Sequence, residues 1–118
     1  MLRKLILAGV LALLAGPSFA ASAYISEYAA LGATSSGTAT AQIATLPPFV
    51  DQKVTFTGTP GSSAAFNAKT RFIRILCDAA CSINLGGTAT TSNARLAADA
   101  VEYFAVQPGA VLSVIANP

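Results

Sequence analysis

The chain contains no histidine and no tryptophan, only two cysteines, and few charged residues, which make up 10% of its 118 positions. Without an imidazole base, Ser-His-Asp and Cys-His catalysis are excluded. Two thiolates cannot complete the tetrahedral shell of zinc, and the spacing Cys77-x-x-x-Cys81 differs from the Cys-x-x-Cys of redox enzymes. We therefore predict no catalytic residues, no metal site and no cofactor.

The first twenty residues have the layout of a secretory signal peptide. Arg3 and Lys4 precede an apolar run, Pro17 ends it, and small residues follow. We expect cleavage between Ala20 and Ala21, with cleavage after residue 23 as an alternative. A retained apolar helix that anchors the chain in a membrane and a buried core helix are the other interpretations. The pattern predicts an exported protein, periplasmic or extracellular, that contacts a membrane only through this segment.

The charges beyond residue 20 balance. They are Lys53, Lys69, Arg71, Arg74 and Arg95 against Glu27, Asp51, Asp78, Asp99 and Glu102. Nucleic-acid binding needs clustered excess positive charge, and the single basic cluster, at 69–74, is modest, so we predict no nucleic-acid partner. A domain with few charges and no net charge has little to oppose self-association. Protein partners, including further copies of this chain, are therefore expected.

Residues 21–118 have the length of one domain and mostly the periodicity of strands. Within 71–77 and 81–85, odd-numbered positions are apolar almost throughout, and only three residues separate the two runs. The pattern predicts a hairpin in which Cys77 faces Cys81 and Ile75 faces Ile83, with a slightly longer loop as the alternative.

A second pair of strands, at 101–106 and 110–116, flanks Pro108-Gly109. As a hairpin, this pair would share one apolar core face, formed by Val101, Tyr103, Ala105, Leu112, Val114 and Ala116. Pro-Gly favours a type II turn that splays hairpin strands, so an arch between two packed sheets is the alternative. A short helix over residues 93–104 also fits the spacing of apolar residues.

Earlier strands are predicted at 23–29, 38–45 and 53–57, the last with Val54 and Phe56 inward, and Phe66 anchors a further short strand. The Thr-, Ser-, Ala- and Gly-rich segment 33–44 fits either an edge strand or a flexible arm. Six to eight short strands with Gly and Pro turns predict an all-β fold. We expect a small β-sandwich or jelly-roll-like domain over residues 21–118, after an N-terminal signal helix.

The two cysteines are the nearest approach to a chemical site. In an oxidising compartment, Cys77 and Cys81 can form a disulfide if they face each other. Two unlinked apolar cysteines are the alternative, because hydrogen-bonded cross-strand positions hold Cβ atoms too far apart for easy bridging.

Three separated blocks, at 22–31, 63–74 and 94–109, carry a family resemblance. They read SAYISEYAAL, SAAFNAKTRFIR and ARLAAD followed by EYF and VQPG, and in this order the chain resembles a family of small tailed-phage proteins assigned to the virion. The resemblance implies a β-rich head-decoration or minor structural subunit with capsid proteins as partners. The family's members begin near Ala23 without an export signal, which is where this chain departs from them.

Three functions follow as hypotheses. The first is a non-enzymatic structural or assembly subunit, phage-like and virion-associated. The second is an exported module that recognises a glycan or cell-surface partner, for which Tyr24, Tyr28 and Tyr103 could stack on sugars, although packing explains tyrosines equally well. The third is an enzyme using Asp99 and Glu102, which a strand would point to opposite faces.

Overall fold

The computed structural model describes residues 20–33 and 40–118. This part of the chain forms ten strands and no helix, which confirms the all-β prediction. The strands are β1 (Ala21–Tyr28), β2 (Gly32–Ala33), β3 (Thr40–Ile43), β4 (Val50–Phe56), β5 (Gly61–Ser62), β6 (Phe72–Cys77), β7 (Cys81–Leu85), β8 (Ala94–Leu96), β9 (Val101–Ala105) and β10 (Leu112–Ala116). The predicted signal peptide lies outside the described residues, except for Ala20.

Eight of these strands form two antiparallel four-stranded sheets, and the β-sandwich prediction is confirmed. The first sheet has the order β4-β1-β6-β9, and the second has the order β5-β10-β7-β8. Strands β2 and β3 form a separate small pair. The Ser- and Thr-rich segment thus contributes a short strand at its described end, residues 40–43.

The core lies between the two sheets and follows from strand alternation, which sends every second side chain inward. The first sheet contributes Ala23, Ile25, Val54, Phe56, Ile73, Ile75 and Cys77, and the second contributes Cys81, Ile83, Leu96, Leu112 and Val114. Burying each large apolar side chain stabilises the fold by about 1.5–3 kcal/mol. The inward placement predicted for Val54 and Phe56 is confirmed. Phe66 is buried as well, but it lies outside any strand.

The predicted hairpin around residues 78–80 is wrong, because β6 belongs to the first sheet and β7 to the second. Ile75 and Ile83 both reach the core, but from opposite sheets rather than as ladder neighbours. A three-residue hairpin loop needs a left-handed residue that Ala80 does not supply. The segment instead forms an arch: the Asp78 N–H donates to the Ser22 carbonyl at 3.0 Å, and the Asn117 N–H donates to the Ala80 carbonyl at 3.0 Å.

The connection from β9 to β10 is also an arch, so its hairpin alternative is wrong. Gly109 has a φ of 78° and the Ala110 N–H donates to the Gln107 carbonyl at 3.2 Å, as in a type II turn. The apolar face predicted for β9 is wrong too, because Val101, Tyr103 and residue 105 are exposed while residues 104 and 106 turn toward the core. Leu112 and Val114, on β10, are buried as expected.

The helix considered for residues 93–104 is replaced by β8 and β9. Asn93 holds the turn before β8, since its Oδ1 accepts a hydrogen bond from the Thr90 N–H at 2.7 Å. Asp99, between the two strands, has a φ of 60°, which is incompatible with a continuous α-helix through this position.

Candidate assembly surface

Cys77 and Cys81 form a disulfide, with their Cα atoms 6.4 Å apart. Both residues are fully buried, and the bond joins the end of β6 to the start of β7, and hence one sheet to the other. The predicted pairing is confirmed, although it spans the core rather than a hairpin. The bond is an internal link between the sheets, placed away from solvent.

Glu27 is a buried carboxylate that alternation places on the inward face of β1, in line with Ala23 and Ile25. Its Oε1 accepts hydrogen bonds from the Asn67 N–H at 2.9 Å and from the Thr70 hydroxyl at 2.7 Å. Its Oε2 accepts one from the Gln52 amide at 2.9 Å. These bonds tie the segment between β5 and β6 to the first sheet. Glu27 therefore acts as an internal brace.

Asp99 and Glu102, the carboxylates considered for catalysis, do not share a strand: Asp99 lies in the turn before β9, and Glu102 lies on β9. Among the residues that the structure describes, no three histidine, cysteine or acidic side chains group in a way that could hold a metal ion. Within residues 20–33 and 40–118, no helix has the length and apolarity needed to cross a membrane.

Part of the outer face of the second sheet is covered by neighbouring segments of the chain. Ser82 and Ser113 point away from the core, yet both are buried. The Asn117 amide donates to the Ser82 hydroxyl at 2.8 Å, and the Ala89 N–H donates to the Ser113 hydroxyl at 2.9 Å. Ala89 is itself buried, so the loop before β8 lies over this face. Two central positions of this outer face are therefore covered by other segments of the chain.

The first sheet leaves much of its outer face exposed and apolar. The strand register aligns outward side chains in rows across β1, β6 and β9. One row is Tyr24, Leu76 and Val101, the next is Ser26, Arg74 and Tyr103, and the third is Tyr28, Phe72 and Ala105. Tyr24, Val101 and Tyr103 have 43%, 42% and 55% of their surface exposed, respectively. The Lys53 ammonium lies 5.5 Å from the centre of the Tyr24 ring and adds a cation–π contact at the β4 side.

One end of this face is covered. Tyr28 is buried and stacks on Phe72, with ring centroids 4.9 Å apart and ring planes 12° apart. Segment 44–48 borders Tyr28, and its Leu46 is 86% exposed. Of the three tyrosines considered for sugar stacking, Tyr28 therefore packs inside the fold, while Tyr24 and Tyr103 remain on the surface.

Tyr103 lies between two hollows at the covered end of the face. One, of about 700 Å³, is lined mainly by apolar side chains, including Leu31, Ile43 and Phe72. The other, of about 480 Å³, is more polar and includes Asp51 and Arg74. The exposed ring thus stands beside both an apolar and a charged surface.

Among the described residues, β9 has a neighbouring strand on one side alone, so it is an open edge of the first sheet. The Val106 N–H donates to the Arg71 carbonyl at 3.0 Å, and residues 71 and 106 continue the β6–β9 register. Along an antiparallel strand, the backbone groups of successive residues point alternately to the two neighbouring strands. Residues 102 and 104 therefore also bond to β6, whereas Val101, Tyr103 and Ala105 direct their N–H and C=O groups to the open edge. The side chains of these three residues are also exposed, and they project from the outer face.

The other sheet edges in the described part of the chain are short or polar. Strands β5 and β8 have two and three residues, and Arg95 of β8 donates to the Asn117 carbonyl at 2.9 Å. Strand β4 presents Asp51, Lys53 and Thr55 outward, and its Gln52 side chain bonds the backbone of residue 64. Short length and charge are the usual protections against edge pairing. Strand β9 has five residues, and the three that direct their backbone to the open edge, Val101, Tyr103 and Ala105, are uncharged.

We call the exposed residues Tyr24, Val101 and Tyr103, together with the open edge of β9, the assembly surface. The sequence predicted association from low charge, but it placed Val101 and Tyr103 in the core. Comparison of the chain with protein-family models, with curated proteins and with solved structures yields no match.

Proposed function

We propose that this protein is a non-enzymatic structural subunit that assembles with other protein chains through the assembly surface. The observation that carries the proposal is the combination, in the described part of the chain, of exposed apolar side chains on the outer face of the first sheet with the open edge of β9 beside them. Contiguous exposed apolar surface marks interaction sites in folded proteins. The balanced charges of the domain add no long-range repulsion between copies.

The setting proposed for this assembly is a phage-like virion, as a head-decoration or minor structural subunit beside capsid proteins. The support is the resemblance carried by the three sequence blocks together with an all-β domain of suitable size. An exported location, reached through the predicted signal peptide, is the alternative setting. The Cys77–Cys81 disulfide is compatible with export, because disulfides persist in oxidising compartments.

Light scattering during size-exclusion chromatography of the purified protein tests the proposal. We expect a defined oligomer whose population grows with concentration. A species that stays monomeric at millimolar concentration and does not co-sediment with particles from its source would contradict it. Mass spectrometry of purified particles and of the periplasmic or culture fraction then distinguishes the two settings.

A second candidate is an exported module that recognises a glycan. It is favoured by the exposed ring of Tyr103 between two hollows, with Arg74 beside it in the same row. Aromatic rings and a neighbouring guanidinium suit stacking and hydrogen bonding with a sugar. A glycan array probed with the wild type and with Tyr103→Ala tests it: binding that the variant loses supports this candidate, and an array without signal contradicts it.

A further inference from the structure

We propose that the first partner of this chain is a second copy, joined by antiparallel pairing of the two β9 edges around a twofold axis at Tyr103. This inference rests on the proposed function and specifies its partner and geometry. The two first sheets would then form one continuous eight-stranded sheet, in the order β4-β1-β6-β9 followed by its reverse.

The open edge of β9 carries backbone hydrogen-bonding groups. Val101, Tyr103 and Ala105 direct their N–H and C=O groups to the open edge, as the alternation from the Val106–Arg71 bond requires. A second β9 running in the opposite direction presents the same groups. A twofold contact is self-complementary by construction, so one strand supplies both sides of the interface.

The positions of Val101, Tyr103 and Ala105 then favour one register for the two β9 strands. With Tyr103 opposite its own copy, Val101 lies opposite Ala105 of the second copy, and all three outward residues enter hydrogen-bonded pairs. A shift that centres the axis on Glu102 leaves Ala105 unpaired and places the two Glu102 carboxylates directly opposite each other, which is destabilising. The register centred on Tyr103 instead places Glu102 opposite Phe104 of the second copy.

The side chains favour the same arrangement. Val101, Tyr103 and Ala105 all project to the exposed outer face. Pairing extends the rows of the first sheet across the axis, so the two Tyr103 rings become neighbours and the Val101 side chain contacts Ala105 of the second copy. The pairing thereby covers apolar surface as well as backbone, and aromatic cross-strand pairs are among the favourable ones.

Cysteine cross-linking tests the register directly. The native cysteines form the disulfide, so a maleimide reacts with the introduced thiol. Tyr103→Cys is expected to cross-link with itself through a short bis-maleimide, and a mixture of Val101→Cys and Ala105→Cys is expected to form a mixed dimer. Val101→Cys alone is not expected to cross-link with itself, because the two Val101 positions in the dimer are offset by four residues, or about 13 Å along the strand.

A lysine pair supplies the matched control. Tyr103→Lys places a charge on the open edge, and Thr55→Lys places the same charge on the outer face of β4, at the opposite edge. We expect the dimer dissociation constant to rise about tenfold or more for Tyr103→Lys and to stay near the wild type for Thr55→Lys. Circular dichroism checks that both variants fold.

The outcomes separate this inference from the function on which it rests. An oligomer in light scattering together with the expected cross-links supports both. An oligomer whose Tyr103→Cys variant does not cross-link, or one that Tyr103→Lys leaves unchanged, overturns the β9 dimer but not the assembly function. A wild type that is monomeric at every concentration overturns the β9 dimer, and it overturns the assembly function as well only if it also fails to co-sediment with particles from its source.

Discussion

Cys77 ends a strand of the first sheet, Cys81 begins a strand of the second, and their disulfide joins the two sheets across the core. Four residues of separation are enough for the chain to cross from one layer to the other. The bond therefore holds the sandwich closed at one end, beside Ile75 and Ile83 in the same core.

Removing this bond is predicted to lower stability. Closing so small a ring is worth about 2 kcal/mol in the chain-entropy model, so reduced wild type should unfold at a lower urea concentration than oxidised wild type. Reduction keeps both sulfur atoms in place and so separates the cross-link from packing. The Cys77→Ala/Cys81→Ala variant adds the loss of two buried side chains and should be less stable than reduced wild type. Equal midpoints for oxidised and reduced protein would show that the link stabilises nothing.

The buried carboxylate of Glu27 is predicted to contribute more to the free energy of unfolding than the exposed carboxylate of Glu102 on β9. Glu27→Ala leaves the Asn67 N–H and the Thr70 hydroxyl without this acceptor and removes one of the two acceptors of the Gln52 amide, and we expect a loss of about 3 kcal/mol in the free energy of unfolding. Glu27→Gln keeps one acceptor oxygen and should lose less.

Glu102→Gln is the matched control for the brace, because Glu102 is exposed. It should stay within about 0.5 kcal/mol of the wild type in urea unfolding. Similar losses at both positions would mean that the buried hydrogen bonds of Glu27 are not the source of the effect.

The turn at Pro108-Gly109 is predicted to depend on the left-handed conformation of the glycine. Gly109 has a φ of 78°, and a Cβ at this position would meet no atom within 4 Å, so Gly109→Ala is destabilising only through backbone strain. We expect a loss of about 1 kcal/mol in thermal or urea unfolding. Gly58→Ala is the control, since that site is equally open and has no positive φ. A Gly109→Ala variant as stable as Gly58→Ala would contradict the type II turn.

Polar substitution of the assembly surface is predicted to weaken association without weakening the fold. Val101→Ser removes an exposed apolar side chain from the row shared with Tyr24, and sedimentation equilibrium should show fewer oligomers at equal concentration. Val111→Ser, at a comparably exposed valine next to the second sheet, should associate like the wild type. If the two variants lower association equally, the effect comes from the introduced hydroxyl group wherever it lies and not from the first sheet.

The sequence could predict which side chains turn inward, but not which strands become neighbours. Alternation is local, so Val54, Ile75 and Ile83 could be assigned to the core from their own strands. Pairing is non-local: β1 lies between β4 and β6, and nothing in its sequence indicates either partner. The hairpin interpretation failed because a short connection fits an arch as well as a hairpin.

The candidate site was harder to predict than the core. On β9, Phe104 faces the core and Val101 and Tyr103 face solvent. All three are largely apolar, so their sequence does not indicate which face of the strand is left uncovered. The burial of Ser113 likewise depends on the loop at Ala89, and Ser82 is bonded by Asn117 at the end of the chain. Glu27 did offer a signal, because it shares the inward alternation of Ile25 and is charged.

The central claim is that copies of this protein meet at the outward-facing backbone of β9. Amide hydrogen exchange followed by NMR at low and high protein concentration tests it residue by residue. We predict that the Val101, Tyr103 and Ala105 amides exchange rapidly in dilute protein and become protected in concentrated protein, while the Phe104 and Val106 amides are protected at both concentrations. Rapid exchange of Val101, Tyr103 and Ala105 at both concentrations would contradict it.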